Sequence, residues 1–189
     1  MIDYKFTIVI IIAYFLGNIS PSTIQAKKRG LDIKSEGSGN AGTTNTFRVL
    51  GAKPAVITLV IDIFKGVAAV FIGLYFSTAT ASMLCGLFVF LGHVFPIIYK
   101  FKGGKGIATA FGATMAIDWR IGLILLAIVA IMFIFTKTVS VSALVAVIAY
   151  PIVCYAIKPE FLYISVVMAL IALFKHRTNI SRILKGEEK

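Results

Sequence analysis

Long apolar runs constrain this chain more than any other feature of its sequence. Of its 189 residues, 59% are hydrophobic and only 14% are charged, whereas about a quarter of a soluble domain is charged. A lipid bilayer accepts this much apolar surface, and a soluble fold of the same size does not. We therefore predict an all-α integral membrane protein that forms a single membrane-embedded domain over residues 1–189. Its seven predicted transmembrane helices are Phe6–Ile24, Ala55–Phe76, Ala81–Tyr99, Ile107–Ile117, Ile121–Phe135, Val139–Ile157 and Phe161–Phe174.

Two of these runs are too short for a straight span, which needs about 20 residues. Ile107–Ile117 has 11 residues and Phe161–Phe174 has 14. Either both helices include flanking residues, or Ile107–Ile117 and Ile121–Phe135 form a re-entrant hairpin. Both alternatives leave the two ends of the chain on the same sides of the membrane.

The basic residues predict the orientation and the surface that the chain contacts. Of the 19 Lys and Arg residues, fifteen fall on one side of the predicted spans and three on the other, while Lys65 lies within a span. Because cytoplasmic loops carry the excess of positive charge, we predict the N-terminus outside and the C-terminus in the cytoplasm. The net charge of +11 is spread between apolar runs, which favours anionic lipid headgroups over nucleic acid as its partner.

The sequence indicates neither a disulfide framework nor a metal centre. Cys85 and Cys154 both lie inside apolar runs, where cysteine is typically a small packing residue. No His, Cys or carboxylate residues are spaced like the ligands of a metal site. We therefore predict no metal and no cofactor.

The first polar segment is rich in glycine. Gly37, Gly39 and Gly42 match the spacing of a dinucleotide fingerprint, but that fingerprint requires a soluble βαβ unit, so we reject it. Clustered glycines let backbone N–H groups converge on an anion; the alternative is a flexible loop between helices. The candidate substrate-binding residues of this segment are Gly37, Ser38, Gly39, Asn40, Gly42, Thr44, Asn45 and Arg48.

The second segment combines a histidine with a lysine among glycines. His93 lies about seven residues, or about 10 Å, from the end of its span. An ionisable group at that depth is a functional candidate, and a structural, hydrogen-bonded histidine is the alternative. Lys105 is followed by glycine rather than Ser or Thr, so this is not a Walker A loop; it could present a cation and bare amides to phosphate, or bind lipid headgroups. The glycines beside it are Gly103, Gly104 and Gly106.

The third segment, His176–Arg182, follows the last run directly and contains the candidate residues His176, Arg177 and Asn179. A basic tail at this place ordinarily marks only the cytoplasmic side, and that alternative stays open.

Two smaller features accompany the three segments. Asp62 and Lys65, three residues apart, can pair on one helix face, and we favour a structural ion pair over a catalytic one. Ser140 and Ser142 begin the sixth run, where helix capping is favoured over ligand contact.

By this topology all three segments emerge on one membrane face, and they offer amides, Asn, His, Lys and Arg but few acids, as a phosphate site requires. They resemble the three signature segments of the bacterial acyl-phosphate:glycerol-3-phosphate acyltransferases, the PlsY family. The matching residues are Gly37–Asn45 with Arg48, Gly92–His93 followed by Gly103–Gly106, and His176–Ile180.

This resemblance covers essentially the whole chain. It implies a seven-helix enzyme of the bacterial inner membrane with a cytoplasmic active site. It also implies transfer of a fatty acyl group from acyl phosphate to the 1-hydroxyl of glycerol 3-phosphate, giving lysophosphatidic acid and phosphate. No cofactor, metal or obligate protein partner is expected. The candidate catalytic residues are His93, Lys105, His176 and Asn179, with Ser142 and Arg177 as further substrate contacts.

Residue chemistry leaves the proton acceptor open, since His93, His176 or a substrate phosphate oxygen could accept the hydroxyl proton. An anion or lipid-phosphate transporter is the alternative function. It predicts inverted repeats and helix breaks near the membrane midplane, and the sequence shows no repeat. A metal-dependent phosphotransferase is a third possibility, but the chain has only eight acidic residues.

Overall fold

The computed structural model describes residues 4–188, which form helices and no strand. The all-α prediction is therefore confirmed for this part of the chain. Two single-turn 3₁₀ helices lie at Ile97–Tyr99 and Pro159–Phe161. The α-helices are α1 Tyr4–Gly17, α2 Pro21–Lys27, α3 Thr43–Leu50, α4 Ala52–Phe76, α5 Ala79–Val94, α6 Ile107–Ile117, α7 Trp119–Thr136, α8 Val139–Ile157, α9 Leu162–Lys175 and α10 Arg177–Leu184.

The described chain divides into two compact units at residues 117 and 118. The first unit contains α1 to α6 and the second contains α7 to α10. The single domain over residues 1–189 stays a prediction.

Four helical segments are long and apolar enough to cross a membrane: α4, α5 continued to Tyr99, α7 and α8. The bent pair α1 and α2, at 41°, and the bent pair Pro159–Lys175 and α10, at 58°, raise the number to six if each pair is one span. α6 has 11 residues and is shorter than a span. The fold thus contains four to six candidate spans, and the count of seven stays a prediction.

The run Phe6–Ile24, predicted as one span, is broken into two helices that meet at 41°. α1 ends at Gly17 and α2 begins at Pro21. Proline has no N–H to continue the ladder and is favoured in the first turn of a new helix. The Asn18 side chain occupies the break, where Nδ2 donates to the carbonyl of Tyr14 at 2.7 Å. Ser20 caps α2 by accepting from the N–H of Thr23 at 3.4 Å.

Glycines bring the helices of the first unit into close contact. A Cβ atom at Gly92 of α5 would overlap the carbonyl oxygen of Tyr14 in α1, and one at Gly112 of α6 would overlap the carbonyl of Ile63 in α4. Small residues at such crossings are typical of helices that pack in lipid, where close van der Waals contact replaces the hydrophobic effect. The α1–α5 contact therefore fixes the position of His93, which is the next residue after Gly92.

α7, in the second unit, shows why this fold requires a bilayer. It has 18 residues, most of them apolar, and buries only Ile121 and Gly122, so most of its apolar side chains remain on the surface of the protein. Asp118 begins the helix by accepting from the N–H of Arg120 at 3.0 Å and pairs with the Arg120 guanidinium at 2.7 Å. Side-chain hydrogen bonds from Arg120 lower the pKa of Asp118.

Candidate active site

The glycine-rich loop between α2 and α3 is held by one buried side chain. Asn45 is 1% exposed, and its Oδ1 accepts from the N–H of Ser38 at 2.8 Å. Its Nδ2 donates to the carbonyls of Ile33 at 3.2 Å and Glu36 at 3.0 Å. Asn45 was predicted to contact substrate, whereas in the structure its amide is occupied by the loop backbone.

At two positions of this loop the backbone conformation requires glycine. Gly37 and Gly39 have φ of 58° and 69°, a region where side chains with a Cβ are strained. A Cβ at Gly37 would also overlap Oδ1 of Asn45, so the loop folds closely around that amide.

α3 begins directly after the loop, with Gly42 at its N-cap. Among the described residues no side chain caps this helix, so its first N–H groups add to the positive potential of the helix N-terminus. Thr44, in the first turn, and Arg48, one turn later, are both exposed. Both therefore lie on the exposed surface of the helix that follows the loop.

The second glycine loop packs on His93. The N–H of Gly104 donates to the carbonyl of His93 at 3.2 Å, and a Cβ at Gly103 would overlap that same carbonyl. A Cβ at Gly104 would overlap Nε2 of His93 and lie 3.0 Å from the carbonyl oxygen of Ala41 in the first loop. The two glycine loops and the His93 ring therefore meet at Gly104, and Lys105 is the next residue. Gly106, which completes the second loop, is buried, and a Cβ there would overlap the ring of Phe90.

Behind the imidazole of His93 lies a buried ionic cluster. The ammonium of Lys65 is 2.8 Å from Oδ1 of Asp62 and 2.8 Å from Nδ1 of His93. It also donates to the carbonyls of Gly17 at 3.1 Å and Ile19 at 2.7 Å, at the break between α1 and α2. The ion pair of Asp62 and Lys65 predicted from the sequence is thus confirmed, and its contact with His93 was not predicted.

Lys34 was also missed by sequence reasoning. Its ammonium lies 4.8 Å from the centroid of the Tyr99 ring and 3.5 Å from the Tyr99 carbonyl oxygen. Burial lowers the pKa of Lys34. This contact joins the first glycine loop to the 3₁₀ turn after α5, and only the chain's general excess of lysine hinted at it.

In the second unit, Asn179 belongs to a small hydrogen-bonded cluster around the carboxylate of Glu188. The carboxylate of Glu188 accepts from Asn179 Nδ2 at 2.5 Å, from Arg182 Nε at 2.5 Å and from the Ser140 hydroxyl at 2.8 Å. Burial alone would raise the pKa of Glu188, but these three hydrogen bonds hold it at about 2. Arg182 ends the third polar segment, whereas sequence reasoning missed Glu188, six residues further along the chain.

The other predicted residues of the second unit have local partners. His176, 2% exposed, has Nδ1 at 2.8 Å from the carbonyl of Ala172. Arg177 donates to the carbonyl of Phe174 at 3.1 Å and lies 4.5 Å from the centroid of its ring.

The capping prediction for α8 is wrong. The N-cap is Thr138, without a side-chain cap, and Ser142 instead donates to the carbonyl of Thr138 at 2.9 Å. Inside a helix, a serine hydroxyl can donate to the carbonyl four residues earlier more readily than it can accept from a free N–H group. Ser140 bonds Glu188, as described above.

Among residues 4–188, no three His, Cys, Asp or Glu side chains come together as metal ligands would. Cys85 and Cys154 are both buried as free thiols.

Comparison with known proteins identifies the family. The sequence profile of the family described as glycerol-3-phosphate acyltransferase matches residues 7–186. The glycerol-3-phosphate acyltransferase of Thermoanaerobacter sp. (strain X514) is 41% identical over 181 residues, which are 94% of this chain and 91% of that protein. The protein of the same name from Finegoldia magna is 39% identical over 191 residues, covering 98% of this chain and 96% of the relative.

Solved structures agree. The crystal structure of PlsY (YgiH), an integral membrane glycerol 3-phosphate acyltransferase, in its glycerol 3-phosphate form, superposes with a TM-score of 0.92 at 31% identity and covers 97% of this chain and 94% of its own. Its lysophosphatidic acid form gives a TM-score of 0.89 over the same shares of the two chains, also at 31% identity. With its fold and nearly its full length in common with these proteins, the chain belongs to the glycerol-3-phosphate acyltransferase family.

Proposed function

We propose that this protein transfers a fatty acyl group from acyl phosphate to the 1-hydroxyl of glycerol 3-phosphate. The observation that carries the proposal is the match over 97% of the chain to a PlsY structure in its glycerol 3-phosphate form. A second form of that protein holds lysophosphatidic acid, the product that such a transfer would give. This reaction is the first acylation of phospholipid synthesis.

The chemistry suits a site without a nucleophilic side chain. Acyl phosphate is a mixed anhydride and is already activated. The glycerol hydroxyl oxygen attacks the carbonyl carbon and forms the ester bond, while the bond from that carbon to the phosphate oxygen breaks and phosphate leaves with its electron pair. The hydroxyl proton passes to an acceptor. The protein therefore has to bind two phosphates, orient the hydroxyl and stabilise charge on the carbonyl oxygen.

We assign these tasks to the residues that suit them chemically. Both glycine loops and the N-terminus of α3 present backbone N–H groups, which bind phosphate oxygens. Lys105 and Arg48 supply the positive charge, and Thr44 a hydroxyl on the same exposed helix surface. Asn179, which holds the Glu188 carboxylate through Nδ2, is a suitable donor to a developing oxyanion.

We further propose seven spans, with the N-terminus outside and the active site on the cytoplasmic side of the bacterial inner membrane. Support comes from the excess of Lys and Arg on one side of the predicted spans. A cysteine introduced at Ser38 should react with an impermeant maleimide only after the cytoplasmic side is made accessible. Labelling in intact cells would reverse the orientation.

The activity test uses purified protein in lipid nanodiscs with palmitoyl phosphate and labelled glycerol 3-phosphate. We expect labelled lysophosphatidic acid and an equal amount of inorganic phosphate, and no lipid when either substrate is omitted. Absence of lipid product under these conditions would refute the proposal.

One observation favours the transporter alternative. The first run is broken at residues 18–20, and Lys65 binds the carbonyls of Gly17 and Ile19 at this break. Helices of transporters are broken in a similar way, with carbonyls that bind cations. The two functions separate in sealed proteoliposomes, where a transporter accumulates labelled glycerol 3-phosphate in the lumen without any acyl donor. The acyltransferase proposal expects no such accumulation.

A further inference from the structure

Asp62 and Lys65 are buried charged residues to which the acyl transfer assigns no role. They are 1% and 3% exposed, and the His93 side chain against them is 6% exposed. Such a cluster inside a membrane protein is costly unless every proton has an acceptor. The positions of the protons therefore follow from the positions of the acceptors.

The ammonium of Lys65 has three protons and no acceptor site. Four atoms surround it: the carbonyl oxygens of Gly17 and Ile19 at 3.1 and 2.7 Å, Oδ1 of Asp62 at 2.8 Å, and Nδ1 of His93 at 2.8 Å. Hydrogen-bond geometry is met at both carbonyl oxygens and at Nδ1, whereas Oδ1 of Asp62 contacts the ammonium as an ion pair. A proton on Nδ1 would point at an ammonium at hydrogen-bond distance, so Nδ1 must present its lone pair.

The reverse arrangement, with the proton on Nδ1 of His93 and a neutral Lys65, is energetically less favourable. Nδ1 lies 3.4 Å from Oδ1 of Asp62, which is beyond the ordinary 2.7–3.2 Å range for an N–H···O bond. A neutral Lys65 would also weaken its bonds to both carbonyls and remove the cation at 2.8 Å from the buried carboxylate. Lys65 therefore keeps its proton.

We infer that Lys65 fixes His93 as the neutral tautomer with its proton on Nε2, so that His93 donates a hydrogen bond to a phosphate oxygen of a substrate and is not the general base. Nε2 lies against Gly104, in the loop that we propose to bind phosphate, and in this respect the inference rests on the proposed function. Asp62 and Lys65 are then positioning residues, which act through His93.

His176 has the opposite tautomer. Its Nδ1 lies 2.8 Å from the carbonyl oxygen of Ala172, and since a carbonyl only accepts, Nδ1 carries the proton. The chain contains only two histidines, so each serves as the internal reference for the other.

Nitrogen NMR tests the tautomer directly. Protein with ¹⁵N-labelled histidine in nanodiscs should give two rings, one protonated on Nε2 and one on Nδ1, with His176→Gln assigning the remaining ring to His93. A protonated Nδ1 in His93, or fast averaging of its two tautomers, would overturn the inference. This readout needs no turnover, so an inactive protein with the expected His93 tautomer would refute the acyl transfer alone.

A ligand titration tests whether Nε2 of His93 donates a hydrogen bond to substrate. Inorganic phosphate and, separately, glycerol 3-phosphate are added while the Nε2–H proton of His93 is followed. A stronger hydrogen bond moves this proton downfield, and we expect the shift with both ligands because the phosphate group is the common acceptor. A shift with glycerol 3-phosphate alone would place the glycerol hydroxyls at His93 instead, and no shift with either would remove the donor role.

Conservative replacement separates a donor from a base. Glutamine can place an N–H near the position of Nε2, so His93→Gln should keep activity within about tenfold of wild type. His93→Ala should lose about a hundredfold or more, as expected when a hydrogen-bond donor to a reacting anionic group is removed. If His93 were the base, both variants would fall equally.

The positioning role is tested with charge kept balanced. Asp62→Asn combined with Lys65→Met removes both charges and should reduce kcat at least tenfold, with averaged His93 tautomers in the NMR spectrum. The matched control is Thr58→Val, which alters another buried polar residue of α4, bonded to Gln25 at 3.1 Å; it should leave kcat and the His93 tautomer unchanged. If the double variant does not fold, the wild-type spectrum still decides. A folded double variant with a single Nε2–H tautomer would exclude Lys65 as its cause.

Discussion

Gly104→Ala tests the geometry at which the two glycine loops and His93 meet. The added methyl group would overlap Nε2 of His93 and lie 3.0 Å from the carbonyl oxygen of Ala41. Since carbon contacts are relaxed at about 3.5–4.0 Å, the loop or the imidazole must shift by about 1 Å. A misplacement of this size at a reacting centre costs about a hundredfold in rate, or about 2.7 kcal/mol of transition-state stabilisation. We expect a loss of that order in kcat/KM.

The matched control is Gly86→Ala in α5, the helix that contains His93. A Cβ there would be 3.2 Å from the end of the Ile117 side chain and 3.4 Å from the Ala113 Cβ, contacts that small side-chain shifts relieve. Alanine also favours the helix by about 1 kcal/mol over glycine. Activity within about twofold of wild type is expected for this control, with no loss of thermal stability. If Gly104→Ala is as active as Gly86→Ala, the proposed meeting point is not part of the active site.

Four further predictions address the substrate contacts, the donor, metal dependence and the tail. Lys105→Ala, Arg48→Ala and Asn179→Ala should each lower kcat/KM at least tenfold, about 1.4 kcal/mol, while inserting normally; near-normal turnover in one would remove that residue from the site. Palmitoyl phosphate should support robust transfer, and palmitoyl-CoA should support little at the same concentration. Comparable rates with the two donors would contradict a mechanism that depends on a small phosphate leaving group. Prolonged chelation should leave turnover unchanged, and recovery of a lost rate with zinc or magnesium would show otherwise. Because the pKa of Glu188 is lowered to about 2 from 4.5, its carboxylate should hold the C-terminal tail in place above about pH 4.5 and release it as the pH falls towards 2. A nitroxide attached at Glu187→Cys should become more mobile over this pH range. At pH 7 the same nitroxide should be more mobile when Glu188→Gln is also present, and equal mobility with and without that substitution would contradict the prediction.

The helices were predictable because apolar run length alone determines where a chain can cross lipid. The runs Ala55–Phe76, Val139–Ile157 and Ile107–Ile117 match α4, α8 and α6 closely. The break in the first run has a local signal, since Ser20 and Pro21 form an N-cap and a first-turn proline, but the run was interpreted from its hydropathy alone. Its carbonyls are satisfied by Lys65, nearly fifty positions further along the chain, and local hydropathy contains no trace of such a partner.

The residue types of the candidate site were easier to predict than their roles. Asn45 fits a substrate contact by type, but its amide bonds to Ser38, Ile33 and Glu36. An asparagine side chain has the same donors and acceptor as a peptide group, so its type cannot say whether it binds a ligand or a loop. Glu188 was overlooked for the converse reason, because an acid was not sought in a site expected to bind anions.

The broken first helix and the histidine tautomer depend on one another. If α1 continued through residues 18–20, the carbonyls of Gly17 and Ile19 would stay within its own hydrogen-bond ladder, and Lys65 would have only Asp62 and His93 as neighbours. A buried ammonium with a missing acceptor is costly in a membrane, and loss of its proton would free Nδ1 of His93 to take one. The break therefore supplies the acceptors that keep Lys65 charged, and the charged Lys65 keeps the proton of His93 on the nitrogen that lies against Gly104. Three segments that are distant in sequence determine this one proton, which explains why His93 was recognisable from its depth in a span while its role was not.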